Sequence, residues 1–85
     1  MKVLGIKRLT GTYENRPYDN YYLFCSRYSN QEGIICGACP DETVKVKADV
    51  LHECVAEENV KSLLGLDIDV YLNSYKNVVK VFVKE

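Results

Sequence analysis

Residues 66–83, LDIDVYLNSYKNVVKVFV, decide the fold of this chain. Leu66, Ile68, Val70 and Leu72 alternate with Asp67, Asp69, Tyr71 and Asn73. Successive side chains on a strand point to opposite faces, so the pattern is a strand with one face buried. Residues 73–77, NSYKN, then form a hairpin loop. Val79, Val81 and Val83 alternate with Val78, Lys80, Phe82 and Lys84, which gives a second strand. The chain therefore ends in an antiparallel hairpin.

Working back from that hairpin, residues 48–64 are the helical candidate. Leu51, Cys54 and Val55 lie on one helical stripe, and Val60, Leu63 and Leu64 on another. The polar Glu57, Glu58 and Asn59 separate the two stripes. The spacing predicts one kinked helix or two short ones, with Asn59 capping the second and Gly65 ending it. Before it, Val44 and Val46 alternate with Lys45 and Lys47, a short half-buried strand or a strand extension.

The aromatic-rich residues 21–28 predict another strand. Tyr21, Leu23, Cys25 and Arg27 share one face, and Tyr22, Phe24, Ser26 and Tyr28 the other. Residues 29–33 read as its turn, closed by Gly33, and residues 34–39 as the return strand, stopped by Pro40 and Asp41. Residues 12–20, with Asn15, Pro17, Asp19 and Asn20, read as a loop. Residues 2–9 read as a bent strand in which Leu4 and Ile6 share a face. A bulge near Lys7 and Arg8 would bring Leu9 onto it.

The order is three strands, a helical region and two strands in 85 residues. It predicts one mainly-β domain over residues 1–85, built as a five-stranded antiparallel OB-like barrel. The short helical segment falls between strands 3 and 4. An SH3-like barrel and an open α+β sheet are the alternatives. Residues 64–83 resemble the terminal hairpin of many small OB-fold and SH3-like proteins. A small chain of one bare domain also resembles the products of phages and mobile elements.

Composition narrows the function. A net charge of −1 excludes an indiscriminate polycation for duplex DNA. No apolar run approaches the roughly 20 residues that span a bilayer. Residues 1–10 lack the features of a signal peptide. The expectation is a complete cytoplasmic chain with reduced thiols and no membrane. The charge is uneven along the sequence. The first 27 residues hold Lys2, Lys7, Arg8, Arg16 and Arg27 against Glu14 and Asp19, a net of +3, and the rest carries −4.

Catalysis finds little to stand on. The lone histidine, His52, sits in the helical region and reads as an exposed or half-buried helix residue. The five glycines are dispersed and form no phosphate-cradling loop. Asp67 and Asp69 read as a solvated strand face. The expectation is a protein that is not an enzyme.

Cys36 and Cys39 form a C-x-x-C pair. A redox motif of this kind needs a helix directly after it, and a β-like alternation follows instead. A zinc site would need Cys25, Cys54 or His52 to complete a tetrahedron around this single knuckle. No cofactor is favoured. If zinc is bound, its ligands are Cys25, Cys36, Cys39 and Cys54; otherwise the cysteines act as small hydrophobes.

The aromatic and basic residues carry the functional signal. Tyr13, Arg16 and Tyr18 fall in the first loop, Tyr75 and Lys76 in the last, and Tyr22 and Phe24 on one strand face. In an OB-fold the face of strands two and three, flanked by these two loops, binds oligonucleotides. Bases stack on aromatic rings while cations track the phosphates. These seven residues predict a non-catalytic protein that binds single-stranded nucleic acid. The alternative is a protein–protein interaction module, such as an adaptor, inhibitor or assembly subunit, with or without a structural zinc. It would use the same surface or a strand edge, which also allows self-association.

Overall fold

A computed structural model describes residues 1–26, 32–37 and 39–84. The elements are β1 (Lys2–Tyr13), β2 (Arg16–Ser26), β3 (Glu42–Lys47), α1 (Ala48–Cys54), a 3-10 helix (Glu57–Leu63), β4 (Ile68–Leu72) and β5 (Val78–Val83). The expected order of strands and helical region is therefore present. β1, β2 and β3 form an antiparallel sheet in that spatial order, and β4 pairs with β5 in a second. Among the described residues, no helix is long and apolar enough to cross a membrane.

Residues 12–20 are not a loop. β1 and β2 continue through them and meet at a two-residue turn, with Tyr13 paired to Arg16. Glu14 and Asn15 both take positive φ, 49° and 63°, as a type I′ hairpin turn requires. Pro17 is tolerated because β3 pairs only with residues from Asn20 onward, so the lost N–H on that side had no strand partner.

The return strand expected at residues 34–39 also fails, and β3 takes its place at Glu42–Lys47. Gly33 and Gly37 adopt φ of 86° and 69°, which breaks extension on both sides of Ile35. Val44 and Val46 supply the alternation that lets one face bury against Leu23 and Tyr21. Arg27, Tyr28 and the turn residues Ser29, Asn30 and Gln31 lie outside the described residues.

The bulge in β1 falls between Val3 and Gly5, not near Lys7 and Arg8. Leu4 is the extra residue. Val3 and Ile6 therefore face the core together, while Leu9 lands on the opposite face and is exposed. Of the two helical alternatives, the two short pieces are the ones found. Ala56 holds the N-cap position of the second, so Asn59 lies inside it and its carbonyl accepts the Ser62 hydroxyl. Gly65 follows the helical end with φ of 85°, as expected of a C′ glycine.

The hydrophobic core lies between the inner face of the three-stranded sheet, the helical pieces and the β4–β5 hairpin. Val3, Leu23, Cys25, Val46, Leu51, Leu63 and Ile68 are its most buried side chains. Residues 65–68 join the sheets along the free edge of β1. The Val3 N–H donates to Leu66 O, Gly65 N–H to Val3 O and Ile68 N–H to Met1 O. β5 passes beside β3 without a hydrogen-bonded ladder. The protein is thus mainly β with antiparallel sheets, and among the described residues the sheets are not closed into the barrel expected from the strand order.

Candidate functional site

The register of β1, β2 and β3 assigns every strand residue to one of two faces. Tyr13 pairs with Arg16, Gly11 with Tyr18, Leu9 with Asn20, Lys7 with Tyr22 and Gly5 with Phe24. On the other side of β2, Lys47 faces Asn20, Lys45 faces Tyr22 and Thr43 faces Phe24. Cross-strand partners point the same way, so all these residues share one face. It is the face opposite the core, because the intervening Tyr21, Leu23 and Cys25 are buried.

Five of the seven sequence-predicted residues, Tyr13, Arg16, Tyr18, Tyr22 and Phe24, are thereby collected on one surface. Alternate positions on β2 stand about 6.6 Å apart, so Phe24, Tyr22 and Tyr18 form a line of rings interrupted only at Asn20. Tyr22 and Phe24 are half-buried by their neighbours, and Tyr18 and Tyr13 are exposed. Gly11 makes room for Tyr18. A Cβ at that position would lie 2.6 Å from the tyrosine hydroxyl and 2.8 Å from Cζ.

The surface is charged in one sense. From Lys7 to the hairpin turn it carries Lys7, Arg16, Lys45 and Lys47, and no carboxylate shares that face in the three strands. Lys2 follows at the far end, opposite Asp67, whose carboxylate is held by the Met1 ammonium at 2.7 Å. That contact keeps the Asp67 carboxyl below its ordinary range. The acids of β2 and β3, Asp19 and Glu42, belong to the core side.

Lys45 and Lys47 were missed as site residues. Their alternation with Val44 and Val46 marked them as the solvent side of a strand, but not which strand they would flank. Tyr75 and Lys76 sit in the β4–β5 loop, with Tyr75 largely exposed. The loop is stapled by the Asn73 side chain, whose Oδ1 accepts the Tyr75 and Asn77 N–H groups. Directly after them, Asn77 and Val78 line a cleft of about 540 Å³ together with residues 17–20, Lys45, Lys47 and the first turn of α1. The loop therefore borders the aromatic face at its open end.

On the core side, an ionic and aromatic network holds the hairpin in place. The Arg8 guanidinium donates to both Asp19 oxygens, at 2.9 and 2.6 Å, and to Glu57 at 2.6 Å. It also lies 5.1 Å over the Tyr21 ring. The Tyr21 hydroxyl and His52 Nε2 share a hydrogen bond of 2.9 Å, with the rings edge to face. The hydrogen bonds from Arg8 hold the Asp19 and Glu57 carboxyls below their ordinary range, and burial pushes the Tyr21 hydroxyl up. The network ties β1 and β2 to both helical pieces. His52 is thus more than a half-buried helix residue, since it anchors α1 to the sheet.

The four cysteines are scattered. Cys25 is buried in the core, where its thiol donates to Leu23 O and burial raises its pKa. Cys36 and Cys39 are exposed before β3, and Cys54 is half-buried on α1. Among the described residues, no three His, Cys, Asp or Glu side chains are grouped to hold a metal. Comparison with protein-family models, curated proteins and solved structures found no match.

Proposed function

We propose that this protein binds single-stranded nucleic acid on the outer face of β1, β2 and β3, without catalysis. One observation carries the proposal. Four aromatic side chains and four cations occupy that face, and none of its strand positions from Lys7 to the turn is acidic. Base stacking on exposed rings is indifferent to sequence, and lysines beside the rings neutralise the phosphates between stacked bases. The face runs from Phe24 to Arg16, roughly 26 Å at strand spacing, which suits a few nucleotides.

The architecture supports the same reading. The order of elements, the pairing of residues 65–68 with the start of β1, and the passage of β5 beside β3 fit an OB-like barrel with an open seam. In that arrangement the β1–β2 turn and the β4–β5 loop border the binding face, as Arg16 and Asn77 do here. A cytoplasmic location with reduced thiols belongs to this proposal.

The test is fluorescence anisotropy with a labelled single-stranded oligonucleotide of mixed sequence, at low and high salt. Micromolar binding that weakens with salt is the expected result. Absence of binding at low salt would overturn the proposal and leave a protein partner as the occupant of the face. Binding that ignores salt would remove the phosphate contacts from it.

A further inference from the structure

The cleft at the open end of the aromatic face differs in chemistry from the rest of it. Tyr18, Asn20, Lys45 and Lys47 belong to the outer face by register and also line the cleft. Pro17 and Asp19, of the opposite face, line it too, so the cleft sits at the edge of the sheet and adjoins the outer face. Across it stand Asp49, in the first turn of α1, and Asn77, where the β4–β5 loop enters β5. Along the strands the surface offers mainly rings and cations, which cannot tell one base from another. The cleft adds the Asn77 amide and the carboxylates of Asp19 and Asp49.

We propose that the cleft is a one-nucleotide specificity pocket that selects a base with an exocyclic amine over thymine or uracil. This rests on the nucleic-acid reading of the outer face. Its volume, about 540 Å³, is in the range of small-ligand sites. Lys45 and Lys47 donate only, which suits the phosphate. The Tyr18 ring supplies a stacking surface. Of the two carboxylates in the cleft, Asp19 is engaged by Arg8 through both oxygens. Asp49 is the acceptor left for a ligand. A carboxylate accepts hydrogen bonds and cannot donate them, so it favours a base edge rich in N–H groups. Adenine and cytosine present an amino group, and guanine presents two adjacent donors. Thymine and uracil present a single N–H between two carbonyl oxygens, which Asp49 repels. The Asn20 and Asn77 amides can each donate and accept, and they complete the readout.

The experiment compares a short dT oligonucleotide with the same oligonucleotide carrying one central dA, dC or dG. Wild-type protein is expected to bind the substituted strands at least about fivefold tighter, the lower end for one well-paired base contact. Asp49→Asn is expected to abolish that preference, chiefly by relieving the repulsion of thymine, so that binding to dT rises toward that of the substituted strands. Asn77→Ala, which leaves the backbone hydrogen bonds of the loop in place, is expected to reduce it. Equal affinity of the wild type for all four strands would overturn the pocket while leaving the outer-face proposal intact. Failure of every strand to bind would overturn both. Circular dichroism of the two variants keeps a loss of fold from being read as a loss of selectivity.

Discussion

The two faces of the β1–β2–β3 sheet use alternate residues of the same strands for opposite ends. The inner face carries Val3, Ile6, Leu23, Cys25, Val44 and Val46, which lose their water to the core. The outer face carries Lys7, Lys45 and Lys47, which are exposed, and Tyr22 and Phe24, which are half-buried. An outer face needed only for solubility would mix both signs of charge and carry few large rings. The outer face instead carries rings and cations with no acid from Lys7 to the turn, which is the basis of the proposed binding role. The hairpin makes the contrast sharper. Beyond Asn20 it leaves β3 behind and projects as a two-stranded ribbon whose residues 10–18 are exposed on both faces.

The largest effect expected from breaking this comparison comes from neighbours on β2. Leu23→Ala empties a fully buried position and should cost about 2–5 kcal/mol of stability, a large part of what a domain of this size possesses. Phe24→Ala, one residue along, should leave most of the stability and remove one stacking position, weakening oligonucleotide binding by about 1–3 kcal/mol. Thermal melting and anisotropy on both variants check the pair. If Phe24→Ala melts like Leu23→Ala and binds like the wild type, the outer face is structural.

Alternation explains which parts of this were legible in the sequence. Leu23 and Cys25 against Tyr22 and Phe24 is a two-residue period, so their division between faces follows from chain chemistry alone. The period of residues 66–72 likewise marked β4, but the strand starts at Ile68. Leu66 before it and Leu72, past a register shift at its end, are exposed and not buried as the period implied. Gly65 marked the helical end. What failed depends on partners distant in sequence. Residues 34–39 are apolar enough for a strand, but only pairing with β2 decides between them and β3. The position of the β1 bulge is set by what Val3 and Ile6 must bury against. Pro17 and its polar neighbours look like a loop until the Glu14–Asn15 turn is seen to pair their flanks. The Arg8 network was invisible because its partners lie 11 and 49 residues away. That β5 passes beside β3 without a hydrogen-bonded ladder likewise depends on distant partners that local pattern cannot report.

The Arg8 network gives the next effect, smaller because it is exposed to solvent and screened by salt. Asp19 and Glu57 have folded-state pKa values below their ordinary ones, 3.8 and 4.5. Each therefore binds protons less readily folded than unfolded. Their contribution to stability is present above the ordinary values and is lost as pH falls through the depressed ones. Melting temperature should drop between neutral pH and about pH 3, and Arg8→Met should reduce that drop. An unchanged acid limb in Arg8→Met would show that other carboxylates dominate it.

The smallest effect, and the most specific to the outer face, concerns salt. Lys45 pairs with Tyr22 on β2, where it can reach a phosphate beside a stacked base. For single strands each neutralised phosphate contributes about 0.7 to the slope of log affinity against log salt. Lys45→Ala should lower the slope by about that amount and leave stability almost unchanged, since the side chain is exposed. Lys61, in the 3-10 helix away from this face, provides the contrast. Lys61→Ala removes the same charge from the molecule, so a slope that falls equally in both variants would mean that net charge governs binding. A slope that falls only in Lys45→Ala ties the phosphate contacts to the outer face of the sheet.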